Sequence, residues 1–230
     1  MKLIGVLGGT SWPSTILPYR MLNQEAERRL GPGHSARIAL YSIDYHAILA
    51  AYRTDRDAIP ALLRPEIDTL LSFRPDCWMI ACNTLHATYD RLAQGLAHAP
   101  PFFHAVELVR RELLARSVGK VLLLGTRFTM EDGYFADPLR QVGIAVQIPA
   151  LAERERIDTI QPRLAAGELD PEFATHFRDL IAHHATQGCE AVILGCTELP
   201  LVITQDICPI LALDPLALQC RACVDFAVAS

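Results

Sequence analysis

Several things are missing from this chain of 230 residues, and each absence removes a class of function. No run of about 18 consecutive apolar residues occurs, so a membrane-spanning helix is not expected. Met1-Lys2-Leu3 leads straight into a strand pattern instead of a charged and then apolar leader, which points to a soluble, cytoplasmic protein. Aromatic residues make up only 7% of the chain, and 21 basic residues stand against 26 acidic ones, a net charge of -5. That balance supplies no basic footprint for nucleic acid or an anionic membrane, so the expected partner is a small molecule or another subunit. A disulfide framework is also missing. Seven cysteines is an odd number, at 77, 82, 189, 196, 208, 220 and 223, and without a secretory leader they read as reduced thiols.

Apolar residues are plentiful at 51% of the chain, enough for one large domain or two lobes of about 100 residues each. Short buried-strand patterns lie at 3–7, 38–42, 77–81, 121–124, 145–148 and 191–194. Between them run amphipathic stretches at 18–30, 60–73, 105–116, 158–166 and 171–187, with a further helical pattern at 215–228. Strands alternating with helices of this length predict an α/β fold built from mainly parallel sheets flanked by helices.

A repeat runs through the alternation. Twice the chain writes a strand and Gly-Thr, and later a strand, a cysteine and polar residues. The first copy goes from Gly9-Thr10 to Cys82-Asn83-Thr84, and the second from Gly125-Thr126 to Cys196-Thr197-Glu198. Thr10 and Cys82 are 72 residues apart, and Thr126 and Cys196 are 70 apart. Two pseudo-symmetric lobes explain this. Pro100-Pro101 reads as the connection, giving a first lobe of 1–99 plus 209–230 and a second of 100–208.

Cys82 and Cys196 each follow an apolar strand and precede an expected helix. That is the carboxyl end of the sheet, where open α/β folds bind ligands. Asn83, Thr84 and Thr197 offer donors, and a helix start favours an anion and lowers a thiol's pKa. Two equivalent thiols suit a reaction that removes a proton from one face of a carbon and returns one to the other, one acting as base while its partner acts as acid.

Other readings stand beside this one. Any single cysteine is more often inert packing, the reading given to Cys77, Cys189 and Cys208. Cys82 and His86 have the i, i+4 spacing of a metal pair, but no second such pair accompanies them, so no metal is expected. Cys220-x-x-Cys223 has redox spacing but falls in a helix pattern. The Gly8-Gly9-Thr10-Ser11 turn lacks the three-glycine and Gly-Lys-Ser/Thr signatures of nucleotide sites and suits a small anion. Its counterpart is Gly125-Thr126-Arg127-Phe128-Thr129. Arg53, Arg56 and Arg156 are candidate clamps for a side-chain carboxylate.

At these residues the chain resembles the aspartate/glutamate racemase family over nearly its whole length. The segments that carry the resemblance are GVLGGTSWPST at 5–15, LYSIDYHAI at 40–48, ACNTLH at 81–86, LLGTRFTME at 123–131 and ILGCTELP at 193–200. The resemblance implies a two-lobed α/β fold, often a homodimer, that racemises an acidic amino acid, aspartate first, without a cofactor. Cys82 and Cys196 fall at its two catalytic positions in the cleft between lobes. Thr10, Ser11, Asn83, Thr84, Thr126 and Thr197 would line the carboxylate and amino pockets, and Arg53 would approach the distal carboxylate. Two positions depart from the pattern. Arg156 stands where many relatives carry a lysine that contacts substrate, and Thr10 stands where methionine is frequent. A cysteine-dependent isomerase or decarboxylase of the same fold, or a non-catalytic binding protein, are the alternatives.

Overall fold

The computed structural model describes residues 1–229 and divides into two units, 1–105 with the chain from 216 onward, and Val106–Pro215. In chain order the first unit holds β1 (Ile4–Gly8), α1 (Trp12–Leu30), β2 (Ile38–Ser42), α2 (His46–Thr54), α3 (Ile59–Ser72), β3 (Cys77–Ile80) and α4 (Leu85–Leu92). The chain continues through α5 (Ala105–Ala115), β4 (Lys120–Gly125), α6 (Arg127–Glu131), α7 (Ala136–Arg140), β5 (Ala145–Gln147), α8 (Leu151–Ala165), α9 (Pro171–Thr186), β6 (Ala191–Gly195) and β7 (Leu211–Leu213). The last helix, α10 (Pro215–Val228), packs on the first unit.

In the first unit three parallel strands lie in the order β2-β1-β3, with Ile4 opposite both Ile38 and Cys77. The period-2 alternation of a strand divides its side chains between two apolar layers. Ile4, Val6, Cys77 and Met79 meet Leu22 and Ala26 of α1 and Cys220, Cys223 and Val224 of α10. Leu7, Trp78 and Ile80 face Ile48 of α2 and Leu63, Ile67 and Leu70 of α3. Each fully buried side chain of this size contributes roughly 1.5–3 kcal/mol.

The second unit repeats the pattern and adds an edge strand, in the order β5-β4-β6-β7, all parallel. Leu122, Leu124, Val192 and Leu194 pack on Ile157, Ile160 and Leu164 of α8 and Phe173, Phe177 and Ile181 of α9. In both units the Gly-Thr turn leaves the central strand and the cysteine follows its neighbour, so the repeat in the sequence is a repeat of βαβ position.

The first unit ends later than the double proline. Proline carries no N–H, but its carbonyl still accepts: Trp78 donates its backbone N–H to Pro101 O at 3.0 Å and its indole N–H to Pro100 O at 3.1 Å. Phe103 N then bonds Trp78 O at 3.0 Å, which holds this segment along β3.

Candidate active site

The turn after β1 is possible only with glycine. Gly9 has φ of +96°, and a Cβ there would lie 2.3 Å from Ile43 O. Gly9 N donates to Thr15 Oγ1 at 2.8 Å, and Ser11 O receives the Thr15 N–H and both the Ser14 and Thr15 hydroxyls. The Thr10 and Ser11 side chains take no part in this bonding. Ser11 occupies the position before α1 in extended backbone without capping it through its hydroxyl.

The matching turn in the second unit is built differently at its threonine. Thr126 caps α6, its Oγ1 accepting from Thr129 N at 3.2 Å, and Thr129 continues the chain of hydroxyls to Tyr134 OH at 3.1 Å. Both strand-end glycines beside it, Gly125 and Gly195, abut Thr129 so closely that an added Cβ would sit 2.9 Å from its side chain.

All seven cysteines are free, and five are buried. Cys82 and Cys196 alone are partly exposed. Burial raises the thiol pKa of Cys189, Cys208 and Cys223, which keeps those sulfurs protonated and inert. Reachable sulfur is thus confined to the two repeat positions.

Cys82 follows β3 by two residues, with its Sγ 3.2 Å from Thr84 Oγ1. Asn83 is buried beside it, and Thr84 opens α4, where His86 N closes on Asn83 O at 3.2 Å. Two tyrosines adjoin. Tyr52 OH donates to Thr84 O at 3.4 Å. Burial first, and the nearby Cys82 second, push Tyr52 up to about 12 and raise Tyr45 further, so both phenols stay protonated donors.

Cys196 lies directly after β6 and departs from expectation. An α-helix is expected after it, but a short 3-10 turn, Leu199–Leu201, follows instead. Pro200 inside that turn has no N–H to donate, and Leu199 N already closes on Cys196 O at 3.2 Å. In place of a helix dipole the thiol has a carboxylate: Cys196 Sγ donates to Glu198 Oε2 at 2.9 Å, and Thr197 Oγ1 donates to the same oxygen at 2.9 Å. Glu198 is buried. The two sulfurs therefore differ, one beside hydroxyls and the other against an acid.

The expected arginines lie on helices. Arg53 ends α2, exposed and without an ion pair among the described residues, so its guanidinium is available. Arg56 follows it and donates to Tyr52 O at 3.3 Å. Arg156 on α8 is exposed and paired with Glu172 of α9 at 2.7 Å. His86 does not face the Cys82 sulfur as a metal partner would. Its Nδ1 points to Cys82 O at 2.9 Å and its Nε2 to Gln219 at 3.2 Å.

Glu198 adjoins Cys196 in the second unit, and Tyr45 and Tyr52 adjoin Cys82 in the first, none of them having been singled out in the sequence. An acid two residues after the thiol in Cys-Thr-Glu was a readable signal. The tyrosines were not, because α2 must first fold against α4.

Comparison with known proteins identifies the family and the fold. Residues 7–223 match the family model described as Asp/Glu/Hydantoin racemase. A candidate Asp/Glu racemase from Yersinia pestis superposes with a TM-score of 0.88 at 31% identity, covering 100% of both chains. An aspartate racemase homologue from Pyrococcus horikoshii OT3 gives 0.85 at 28% identity, again over 100% of both. A glutamate racemase from Corynebacterium glutamicum is 27% identical over 124 residues, 54% of this chain and 44% of that protein. The chain spans about half the length of the curated relatives it matches. No helix among the described residues is long and apolar enough to cross a membrane.

Proposed function

Since the chain belongs to the Asp/Glu/Hydantoin racemase family, we propose that it interconverts the L- and D-forms of an acidic amino acid, aspartate first, with Cys82 and Cys196 as the two bases. The observation that carries the reading is that reachable thiols occur only at the two repeat positions, each with a polar oxygen at hydrogen-bonding distance.

In this mechanism the substrate's Cα stands between the two sulfurs. One thiolate removes the Cα proton, forming an S–H bond as the C–H electron pair passes into the carboxylate-stabilised carbanion. The opposite thiol then delivers its proton to the other face and is left as thiolate, so each turnover inverts both the substrate and the pair's protonation. Before Cys196 acts as base, Glu198 takes up its thiol proton; after the turnover Glu198 releases that proton to water and the Cys82 thiolate takes one from water, which resets the pair. The Thr84 hydroxyl orients Cys82.

Thr10, Ser11, Asn83, Thr84, Thr126 and Thr197 serve the α-carboxylate and ammonium. Arg53 holds the distal carboxylate by a bidentate bond. A role for Arg156 requires it to leave Glu172, and an exposed pair of this kind is worth only about 0–1 kcal/mol. The family resemblance supports a cytoplasmic enzyme working as a homodimer without a cofactor. Light scattering of the purified chain over a range of concentrations checks the assembly.

The decisive experiment incubates the protein, with no added pyridoxal phosphate or metal, with L- and D-aspartate and then glutamate in D2O, followed by chiral analysis and measurement of deuterium at Cα. Racemisation of either acid by the wild type, lost in Cys82→Ser and in Cys196→Ser, supports the reading. Absence of both exchange and racemisation overturns it and sends the protein to isomerase and decarboxylase substrates.

A further inference from the structure

His86 is a wholly buried imidazole that the proton transfers do not use. It stands in the first turn of α4, and its surroundings determine where its hydrogen lies. Nδ1 faces two carbonyl oxygens, Cys82 O at 2.9 Å and Asn83 O at 3.3 Å, and a carbonyl can only accept, so Nδ1 carries the proton. Burial first, and the facing His104 second, drive the imidazolium form down to about 3, so the ring is neutral near pH 7. Nε2 is then a lone-pair acceptor.

Its partner comes from the far end of the chain. Gln219 on α10, also buried, places its amide nitrogen 3.2 Å from His86 Nε2 and 2.8 Å from Phe103 O, with Ile80 O at 3.4 Å. Two hydrogens on that nitrogen satisfy the two closer acceptors and leave the third as a weak shared contact. Gln219 thereby sets both the tautomer and the tilt of the ring, and the ring bonds the carbonyls of the two residues that form the thiol turn. Phe102 and His104 wall the imidazole at ring-centroid distances of 5.6 and 4.5 Å.

We propose that His86 and Gln219 are positioning residues for Cys82, a buried relay by which the docking of α10 fixes the turn that aims the sulfur. This rests on the two-thiol reading for its consequence in catalysis but not for its structural content. The Cys196 turn is held differently, with Leu199 N closing on Cys196 O at 3.2 Å and Glu198 bonding the thiol at 2.9 Å, so loss of the relay affects one thiol and spares the other.

The test uses three near-isosteric variants of the whole chain. His86→Asn keeps an amide N–H where Nδ1 stands, whereas His86→Gln reaches only the Nε2 position and drops the bond to Cys82 O. Gln219→Met removes the donor from α10. The first readout is alkylation of each thiol by iodoacetamide, followed by peptide mass spectrometry, with Cys196 as the internal reference. The second is kcat and KM on the racemised acid.

The Cys82-to-Cys196 alkylation ratio is expected to shift at least threefold or so in His86→Gln, which loses the bond to the turn, and by less in Gln219→Met and His86→Asn, which leave that bond and cut only the link to α10, by the steep dependence of reactivity on placement. In the same order kcat falls, by about tenfold at most, while KM stays within about twofold. Lower melting temperature with an unchanged ratio and kcat, an equal change at both thiols, or an effect of His86→Asn as large as that of His86→Gln overturns the proposal. A shifted ratio in a protein that racemises nothing leaves the relay standing and removes the functional reading instead.

Discussion

Under the proposed two-thiol mechanism, Glu198→Gln perturbs one of the two bases without emptying its site. Glu198 is buried, and one of its oxygens receives hydrogen bonds from both Cys196 and Thr197 at 2.9 Å. Glu198→Gln preserves volume and an accepting oxygen but removes the charge. A hydrogen bond to a charged group is worth about 1.5–3 kcal/mol and a neutral one about 0.5–1.5. The difference of roughly 1–1.5 kcal/mol corresponds to about tenfold in rate. If the carboxylate also takes up the Cys196 proton, the loss extends toward the 10²–10⁴ range of general acid–base catalysis. The assay is Cα–H exchange in D2O from each enantiomer separately. Exchange from the enantiomer whose proton Cys196 removes should fall between about tenfold and a thousandfold, with the first exchange step from the other enantiomer affected less. Thr197→Val, which removes only the second donor, should cost less than either. Rates within about twofold of wild type for both enantiomers in Glu198→Gln would refute the assignment of Glu198 as proton acceptor.

Three further outcomes follow from the geometry. Gly9→Ala forces a side chain into left-handed backbone and against Ile43 O, so urea unfolding should show a loss of at least about 2 kcal/mol. Phe177→Ala empties the fully buried centre of the α9 face and should cost roughly 3–5 kcal/mol by the same measurement. His86 titrates near 3 when folded and near 6.5 when unfolded. The unfolded chain thus binds more protons in that window, and stability falls as pH drops through it, by up to about 1.4 kcal/mol per pH unit. Urea midpoints taken at about pH 7 and about pH 5 should converge more in His86→Asn than in wild type, because the variant lacks the titrating ring.

Much of this molecule was legible in its residues because its signals are local. A strand buried on both faces reads as a short apolar run, as β3 and β6 do, and the edge strand β2 and the helix α10 fall at 38–42 and 215–228 as the pattern predicts. The spacing of Gly-Thr and cysteine anticipated that both thiols follow strands neighbouring the central one, since βαβ order is written along the chain. What was not legible came from contacts between segments far apart. β7 is only three residues, Leu211–Leu213, and exists as a strand because β6 offers it an edge. α8 begins at Leu151, well before residue 158, since Glu153 bonds the Ala150 N–H and caps a stretch with little apolar periodicity. The helix expected after Cys196 gave way to Pro200 and the return of the chain to β7.

At the site the division is equally physical. The sequence alone determined which side chains are chemically able to act: two thiols in matched settings, flanked by hydroxyls and an amide. Residue type and spacing along a βαβ unit suffice for that. Only the tertiary structure decided which sulfurs remain reachable and what each one faces. It buried five of the seven thiols, set Cys82 among the hydroxyls of Thr84, Tyr45 and Tyr52, gave Cys196 the Glu198 carboxylate, and brought Gln219 across 133 positions of chain to His86. Burial and hydrogen-bond partnership depend on which segments pack together, and that is settled by the whole core at once.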